Sequence, residues 1–169
     1  MPIQCPHDAA PVKQITPEKF GFSFSGMLRP GGINDLVSRL EGEALQLPQV
    51  DLGTKHVLAG KVYARTIFIP KGCTLTGALH KRDHVNIVSG DISVTTDEGI
   101  KRITGHVVLP TKAGMKRAGV AHEDTYWTTV CFTEESDLEA IEDDLVHDSH
   151  LLQTRSPGIG CDQLLKLGD

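Results

Sequence analysis

The sequence predicts a mostly β protein with a single sandwich or barrel core. Between residues 54 and 131, short apolar runs alternate with glycine, proline and charged turns every eight to twelve residues, which is typical of sandwiches and barrels. No long helical pattern interrupts these runs, which disfavours the βαβ units of a parallel sheet. A length of 169 residues suits one domain. The composition excludes global disorder, a collagen-like repeat and a small disulfide scaffold.

Two short helices are predicted on either side of the strands. The first runs from Ile33 to Leu45, with Asn34 as its N-cap. The second runs from Ser136 to Val146. There, Ser136 and Glu139 stand at the spacing of a capping box, and an apolar stripe follows.

The chain divides into an arm, a barrel and a tail. Residues 1–45 are predicted as an N-terminal arm with the short helix, 46–133 as the β-barrel, and 134–169 as the C-terminal helix with a loop-like tail. Gly90 and Gly105 are predicted to end strands. The predicted strands are 54–59, 61–69, 73–80, 84–89, 91–96, 100–104, 106–110, 117–121 and 125–131.

The arm carries three alternating aromatic residues. Phe20, Phe22 and Phe24 would place their rings on one face of a short strand. Open strand edges are an aggregation hazard that proteins usually cover. We therefore predict a homo-oligomer, most simply a dimer, whose strand edges are covered by a neighbouring subunit or by the arm.

Charge is divided along the chain, although the net formal charge is only −5. Eleven bases stand against four acids from Lys55 to Arg117, whereas eight acids and no Lys or Arg occur from Glu134 to Asp148. A basic pocket for an anion would explain the first stretch. Two solvated faces that attract each other would explain both.

The four cysteines and the N-terminus indicate the compartment. No CxxC pair is present, so neither a zinc ribbon nor a disulfide framework is predicted. A secretory signal is not recognisable, and no apolar run approaches the length of a membrane span. Free thiols in a reducing cytoplasm are the simplest interpretation. Basic stripes interleaved with aromatic residues are missing, so neither nucleic acid nor a membrane is an expected partner.

A group of glycine, histidine and acidic residues resembles a known family. Gly72, His80, Asp83 and Gly90 follow in that order, with six residues between the last two. This arrangement resembles the first motif of the cupin superfamily. The resemblance implies a cupin-like jelly-roll barrel, here with an N-terminal arm and two short helices, and a concave mouth where a ligand binds.

The resemblance is incomplete in the motifs that carry metal ligands. Pro110 and Gly114 match the second cupin motif loosely, but the His of that motif is missing. In the first motif, His80 and His84 stand in place of His-x-His.

A narrower resemblance covers residues 45–146 and concerns small cupin-like proteins of tailed bacteriophages. It implies a viral origin and the host cytoplasm as location, with the virion as the alternative. It implies no reaction. The segments that carry it are 47–50, 62–65, 80–90, 116–119, 123–128 and 135–138.

Candidate ligand contacts follow from strand parity. Side chains alternate along a strand, so His80, His84 and Asn86 share one face of a regular strand. The Cα atoms of His80 and His84 would then be about 13 Å apart, and a bend over 81–83 is needed to bring them together. We predict that these three side chains face the barrel mouth.

Basic residues form a second candidate set for binding a small anionic molecule. Guanidinium and ammonium groups bind phosphate or carboxylate. A buried Arg needs a ligand or a carboxylate such as Asp83 or Glu123, whereas solvated, outward bases are the alternative interpretation. The set comprises Arg65, Lys71, Lys81, Arg82, Lys116 and Arg117, of which Lys116 and Arg117 are the predicted ligand contacts.

A divalent transition metal is the competing occupant of the mouth. A catalytic site needs three or four inward ligands, and His80, His84 and His122 are the candidates, with His106 as another third ligand. The missing second-motif His weakens this hypothesis. Otherwise His80 and His84 are hydrogen-bonding residues of a polar mouth.

Trp127 and Cys131 lie on the last predicted strand. Trp127 is either a core residue or a wall of the ligand site, and it is retained as a ligand-binding candidate. Cys131 would need a nearby base to act as a nucleophile, and the sequence implies none.

Three functions remain open at this level. The first is a phage protein that binds a small, anionic ligand without catalysing a reaction. The second is a metal-dependent cupin enzyme with His ligands. The third is a virion structural or assembly protein whose barrel is only a scaffold. Fold alone does not choose among them.

Overall fold

The computed structural model describes residues 32–155 and 164–166. Within them, seven strands and two α-helices confirm the predicted mostly β fold. Two 3-10 turns follow the second helix, at Ser149–Leu151 and Gln153–Arg155. The helices and strands are α1 Gly32–Ala44, β1 Lys55–Ala59, β2 Val62–Ile69, β3 Thr74–Thr76, β4 His84–Thr96, β5 Gly99–Thr111, β6 Ala118–Phe132, α2 Leu138–Leu145 and β7 Leu164–Lys166.

The described strands form one sheet in the order β5-β4-β6-β2-β1-β7, and β3 pairs with β6. Every pairing is antiparallel except that of β1 with β7. Strand β6 is therefore central, since it pairs with β2, β3 and β4. Its alternate side chains contribute to the inside of the jelly-roll core, and this position explains why β6 supplies residues to the cavity described below.

Gly90 and Gly105 do not end strands, and this prediction was wrong. Strand β4 continues through Gly90, where its register with β6 shifts. A Cβ at Gly90 would lie 2.3 Å from Thr125 Oγ1, and the glycine has a φ of +146°. The glycine thus permits a close approach of two strands within a bulge, which bends β4 without ending it. Strand β5 likewise continues through Gly105.

Two other strand predictions also differ from the structure. Residues 117–121 and 125–131 belong to one strand, β6. The predicted strand 73–80 is reduced to the three residues of β3. His80 makes only an isolated bridge with Val146, which follows α2. The chain leaves the sheet after β3 because it turns toward the end of α2 instead.

Helix α1 confirms the prediction for 33–45, but Asn34 is not its N-cap. The helix begins at Gly32, and the Asn34 side chain donates to the Gly114 carbonyl and accepts from Lys116 N–H. Glu41 binds the Lys116 ammonium at 2.5 Å and accepts from the Thr76 hydroxyl. Polar side chains of α1 therefore attach the helix to β3 and to the segment between β5 and β6.

Helix α2 is shorter than the predicted 136–146, and its N-cap is Asp137 and not Ser136. The Asp137 carboxylate accepts hydrogen bonds from Glu139 N–H and Ala140 N–H. A carboxylate at this position gains from the helix dipole as well as from the hydrogen bonds, which favours Asp over the neighbouring Ser. Ile141 and Leu145 are buried on the inner face of the helix.

The tail is not wholly loop-like, because Leu164–Lys166 forms β7 alongside β1. Leu164 packs against the second of two hydrophobic clusters, which explains the ordering of this short strand. Phe20, Phe22 and Phe24 lie outside the described residues, so the homo-oligomer stays a prediction.

Two hydrophobic clusters fill the described part of the protein. The larger contains Ile69, Val88 and Ile92, with Trp127 packed against it. The smaller lies beneath α2 and contains Tyr63 and Cys131. Among the residues in view, no helix has both the length and the apolar character that a membrane crossing requires.

Candidate anion site

A bend in the chain brings His80 and His84 together. The backbone N–H of Lys81 donates to the Leu145 carbonyl, and that of His147 donates to the Leu79 carbonyl. These bonds hold the segment against the end of α2, and His84 then opens β4. The two imidazole rings lie 4.2 Å apart between centroids. The predicted bend over 81–83 is confirmed.

Both histidines line a cavity of about 90 Å³ whose other lining residues come from strands β2 to β6 and the segments between them. The cavity also receives Asn86, Arg117 and Trp127, so five of the six predicted ligand contacts lie around one space. Its lining residues are Arg65, Ile67, Leu75, Gly77, Ala78, His80, His84, Asn86, Ile92, Val94, Thr111, Met115, Arg117, Ala118, Gly119, Trp127 and Thr129.

Strand register divides this cavity into a polar and an apolar side. Arg65 on β2 and Asn86 on β4 both pair with Thr129 on β6, so they lie in one layer. Two residues along β2 and β6, Ile67 pairs with Trp127 and forms the next inward layer. The polar layer lies toward the two histidines, and the apolar layer leads to the larger hydrophobic cluster.

Three buried nitrogen atoms at this cavity lack hydrogen-bond partners within the described protein. Arg65 Nε, Arg117 Nε and His80 Nδ1 are buried and make no hydrogen bond to any residue of 32–155 or 164–166. No Asp or Glu is among the residues that line the cavity. A buried guanidinium without a counterion is costly. Burial accordingly lowers the pKa of Arg117, while Asp97 acts in the opposite direction.

The nearest buried carboxylate serves another partner. Glu142 lines a small space on the far side of Arg65 and His80. Its oxygens accept from Arg155 Nε at 2.7 Å and from the Thr154 hydroxyl at 2.6 Å. Glu142 is thus engaged with Arg155 and Thr154, and it makes no hydrogen bond to Arg65.

Both histidines are held in the neutral form. Burial, then His84 and Arg65, lower the pKa of His80 to about 3. Burial and Arg117 also lower the pKa of His84, against the opposing effects of the Arg82 carbonyl and Asp83. Because His84 Nδ1 lies 3.0 Å from the Arg82 carbonyl, this nitrogen carries the hydrogen and donates it.

Asn86 lines the cavity, and both of its polar atoms make hydrogen bonds within the protein. Its Nδ2 donates to Thr111 Oγ1. Its Oδ1 accepts from the Trp127 indole N–H at 3.0 Å and from the Thr129 hydroxyl at 2.8 Å. Asn86 therefore orients the ring of Trp127, which both packs on the core and lines the cavity. Trp127 is thus both a core residue and a wall of the cavity, as the two interpretations of the sequence proposed.

Three predicted site residues lie elsewhere. Lys116 is outside the lining and is paired with Glu41. Asp83 accepts from Ala113 N–H and does not pair with Arg82, whose partner is Asp144. His122 donates to or accepts from Ser93 at 2.7 Å and does not join His80 and His84. Lys116 is withdrawn from the cavity because α1 supplies the carboxylate of Glu41, which the sequence alone does not place.

The residues present do not fit a metal ion. In the described ranges, no group of three His, Cys, Asp or Glu side chains converges as a metal site would. Two histidines fall short of the three or four ligands that such a site requires. The guanidinium groups of Arg65 and Arg117 line the same cavity and would repel a cation. The predicted set of His80, His84 and His122 is therefore wrong as a set of ligands to one ion.

Cys131 is not an activated nucleophile. Its thiol is buried, and burial raises its pKa to about 11. A thiol in this state carries little thiolate at neutral pH. The expectation from the sequence is confirmed for this residue.

Arg65 belongs to the set of six candidate bases but was not among the predicted ligand contacts. A usable signal lay in strand parity, because Arg65 alternates with Tyr63, Ile67 and Ile69. Both Tyr63 and Ile69 are buried. An Arg between inward apolar residues on a strand indicates an inward guanidinium. Thr111 and Thr129 carry no such signal, since threonine is common on both faces of strands.

Comparison with known proteins gives structural likenesses at low identity. No protein-family model matches the sequence, and no curated protein matches it. The fold is similar to a cupin-2 domain protein of Shewanella frigidimarina, with 9% identity and a TM-score of 0.41 over 55% of this chain and 92% of that one. It is similar to a cupin superfamily protein of Desulfitobacterium hafniense, with 16% identity and a TM-score of 0.38 over 52% and 73%.

A third likeness is to the cupin-2 domain of an XRE-family transcriptional regulator of Enterobacter cloacae. It has 12% identity and a TM-score of 0.37, and it covers 44% of this chain and 85% of that one. These neighbours are cupin-domain proteins, the superfamily that the sequence motifs resemble. At these values no residue role or activity transfers from them to this chain.

Proposed function

We propose that this protein binds a small anion in the cavity between Arg65 and Arg117, without catalysing a reaction. One observation carries the proposal. Two partly buried arginines, each with a buried Nε that has no hydrogen-bond partner among the described residues, face a cavity whose described lining contains no carboxylate. An anion would replace the solvation that both groups lose on burial.

The histidines support an anionic ligand rather than a metal. His80 and His84 are neutral in the absence of a ligand because burial and the neighbouring guanidinium groups lower their pKa values. A bound anion would raise those pKa values, since an opposite charge favours the protonated ring. Binding is then coupled to proton uptake and strengthens as the pH falls from 8 to 5.5.

The biological setting of this proposal comes from the sequence resemblance alone. The protein would be a phage product that acts in the host cytoplasm by retaining a small metabolite. No observation of the structure favours a virion scaffold or a metal-dependent enzyme over this function.

A titration of inorganic phosphate and of acetate at pH 5.5–8 tests the proposal. Trp127 is the only Trp and lies on the cavity, so its fluorescence reports occupancy. We expect Arg65→Gln and Arg117→Gln each to weaken the binding of at least one of the anions tenfold or more. Arg102→Gln is the matched control, because Arg102 is exposed and paired with Asp91 outside the cavity; it should bind as the wild type does.

The direction of the pH dependence separates the proposal from its rival. For acetate, which stays mostly ionised over this range, weaker binding at lower pH would overturn the proposal. So would binding of a divalent transition metal that His80→Ala and His84→Ala abolish. A wild-type protein that binds neither anion at any of these pH values would do the same.

A further inference from the structure

The apolar side of the cavity is not required for an inorganic anion. Ile67, Ile92, Val94 and Leu75 line it together with Trp127. Arg65 and Asn86 lie in the layer next to that of Ile67 and Trp127, and both histidines line the same cavity. A ligand that fills this space would meet cationic donors at one end and hydrocarbon at the other.

The size of the cavity limits the ligand. A cavity needs about 10–15 Å³ of volume to hold one water. The 90 Å³ of this cavity therefore accommodates about six to nine water-sized atoms. Phosphate has five non-hydrogen atoms, all polar or carrying charge, and would leave the apolar side in contact with water. Hexanoate and benzoate have eight and nine, and most of them are carbon.

From this division we infer that the natural ligand is a small monocarboxylate with a short apolar body. The inference rests on the proposed anion site and specifies its substrate class. The carboxylate lies between the guanidinium groups of Arg65 and Arg117 and near His80. The hydrocarbon part lies against Ile67 and Trp127.

Asn86 contributes specificity through the ring that it orients. Its Oδ1 accepts from the Trp127 indole N–H, which leaves the apolar surface of the ring for the ligand. Asn86 Oδ1 accepts two hydrogen bonds within the protein, and Nδ2 donates one to Thr111. Asn86 is thereby held in place, and with it the ring of Trp127.

A chain-length series measured on the wild-type protein tests the inference. Acetate, butanoate and hexanoate share one head group and differ only in methylenes. A buried methylene contributes about 0.8 kcal/mol, which is roughly fourfold in affinity, so hexanoate should bind more than tenfold tighter than acetate. Benzoate should bind comparably to hexanoate, and the neutral benzamide at least tenfold more weakly than benzoate.

Ile67→Thr provides the matching variant, because threonine keeps the β-branched shape and removes apolar surface. It should reduce the hexanoate-to-acetate ratio severalfold. Val62→Thr on the same strand is the control, since Val62 is half-exposed and outside the cavity lining; it should leave the ratio unchanged. Thermal unfolding confirms that both variants are folded, and the wild-type series stands without either.

The outcomes distinguish failure of the monocarboxylate inference from failure of the anion site. If acetate and hexanoate bind equally and Arg65→Gln weakens both, the inference fails and the anion site stands. If phosphate binds and no carboxylate does, the inference likewise fails and the anion site stands. If benzamide binds as tightly as benzoate, or neither phosphate nor any carboxylate binds, the anion site itself fails.

Discussion

The imidazole rings of His80 and His84 lie 4.2 Å apart between centroids, with an interplanar angle of 37°. His80 is attached to the end of α2 through its bridge with Val146, whereas His84 opens β4. Two neutral rings tolerate this contact, but two protonated rings would repel each other in a buried site. The close contact of the two rings therefore favours the neutral form of both histidines.

The first prediction concerns stability between pH 6.5 and 4. The pKa of His80 falls from 6.5 in the unfolded chain to about 3 in the folded protein. In this range the unfolded state binds a proton that the folded state does not. The stability contributed by neutral His80 is thus complete above pH 6.5 and is lost as the pH falls toward 3.

We expect His80→Gln to flatten this dependence by up to the slope of one proton, about 1.4 kcal/mol per pH unit. Urea unfolding at several pH values measures it. His150→Gln, at an exposed position after α2, serves as the control and should keep the wild-type slope. An equal slope in His80→Gln and the wild type would contradict the neutral state of His80.

The second prediction distinguishes the two candidate caps of α2. Asp137→Ala should lower the free energy of unfolding by about 1 kcal/mol, because two helix N–H groups lose their acceptor. Ser136→Ala should change it by no more than a few tenths. Denaturant unfolding of both variants makes the comparison. A larger loss from Ser136→Ala would restore the capping box that the sequence suggested.

The third prediction concerns the attachment of α1 through Lys116 and Glu41. The Lys116 side chain is only 5% exposed and that of Glu41 18%. Lys116→Met should cost about 3 kcal/mol, since it leaves a largely buried carboxylate unpaired. Adding Glu41→Met should recover part of that loss.

Lys61 supplies the matched comparison for this pair. Its ion pair with Glu134 is exposed, with both side chains 61% accessible. Lys61→Met should therefore cost no more than about 1 kcal/mol. If Lys61→Met and Lys116→Met lower the free energy of unfolding equally, burial does not make the Lys116–Glu41 ion pair more important for stability.

The fourth prediction separates the orienting role of Asn86 from ligand contact. Asn86→Asp keeps an acceptor for the Trp127 indole N–H but places a carboxylate in the layer of Arg65. The Trp127 emission maximum should stay near that of the wild type, while anion affinity should fall more than tenfold. Asn86→Leu should shift the emission maximum, because the indole N–H loses its acceptor. Undiminished anion binding by Asn86→Asp would argue against this cavity as the site.

Much of the architecture could be predicted because local patterns specify it. Turn residues and apolar runs located the strands, and the apolar stripes of 33–45 and 136–146 located the helices. Gly90 misled the strand assignment, since a glycine is equally suited to a turn and to a bulge. Only the approach of Thr125 on the neighbouring strand decides between them.

The candidate site shows the same division between local and distant information. Strand parity and the need for a bend were enough to place His80, His84 and Asn86 on the inside. The sequence could not assign Lys116, because its partner Glu41 lies 75 residues away on α1. Nor could it show that Arg65 remains without a carboxylate. Burial and ion pairing depend on groups from separate elements that meet only when the sheet closes over the cavity. For this reason, the chain's own pattern determined a β-barrel with histidines and bases near its mouth, and the tertiary structure alone decided which bases are left for an anion.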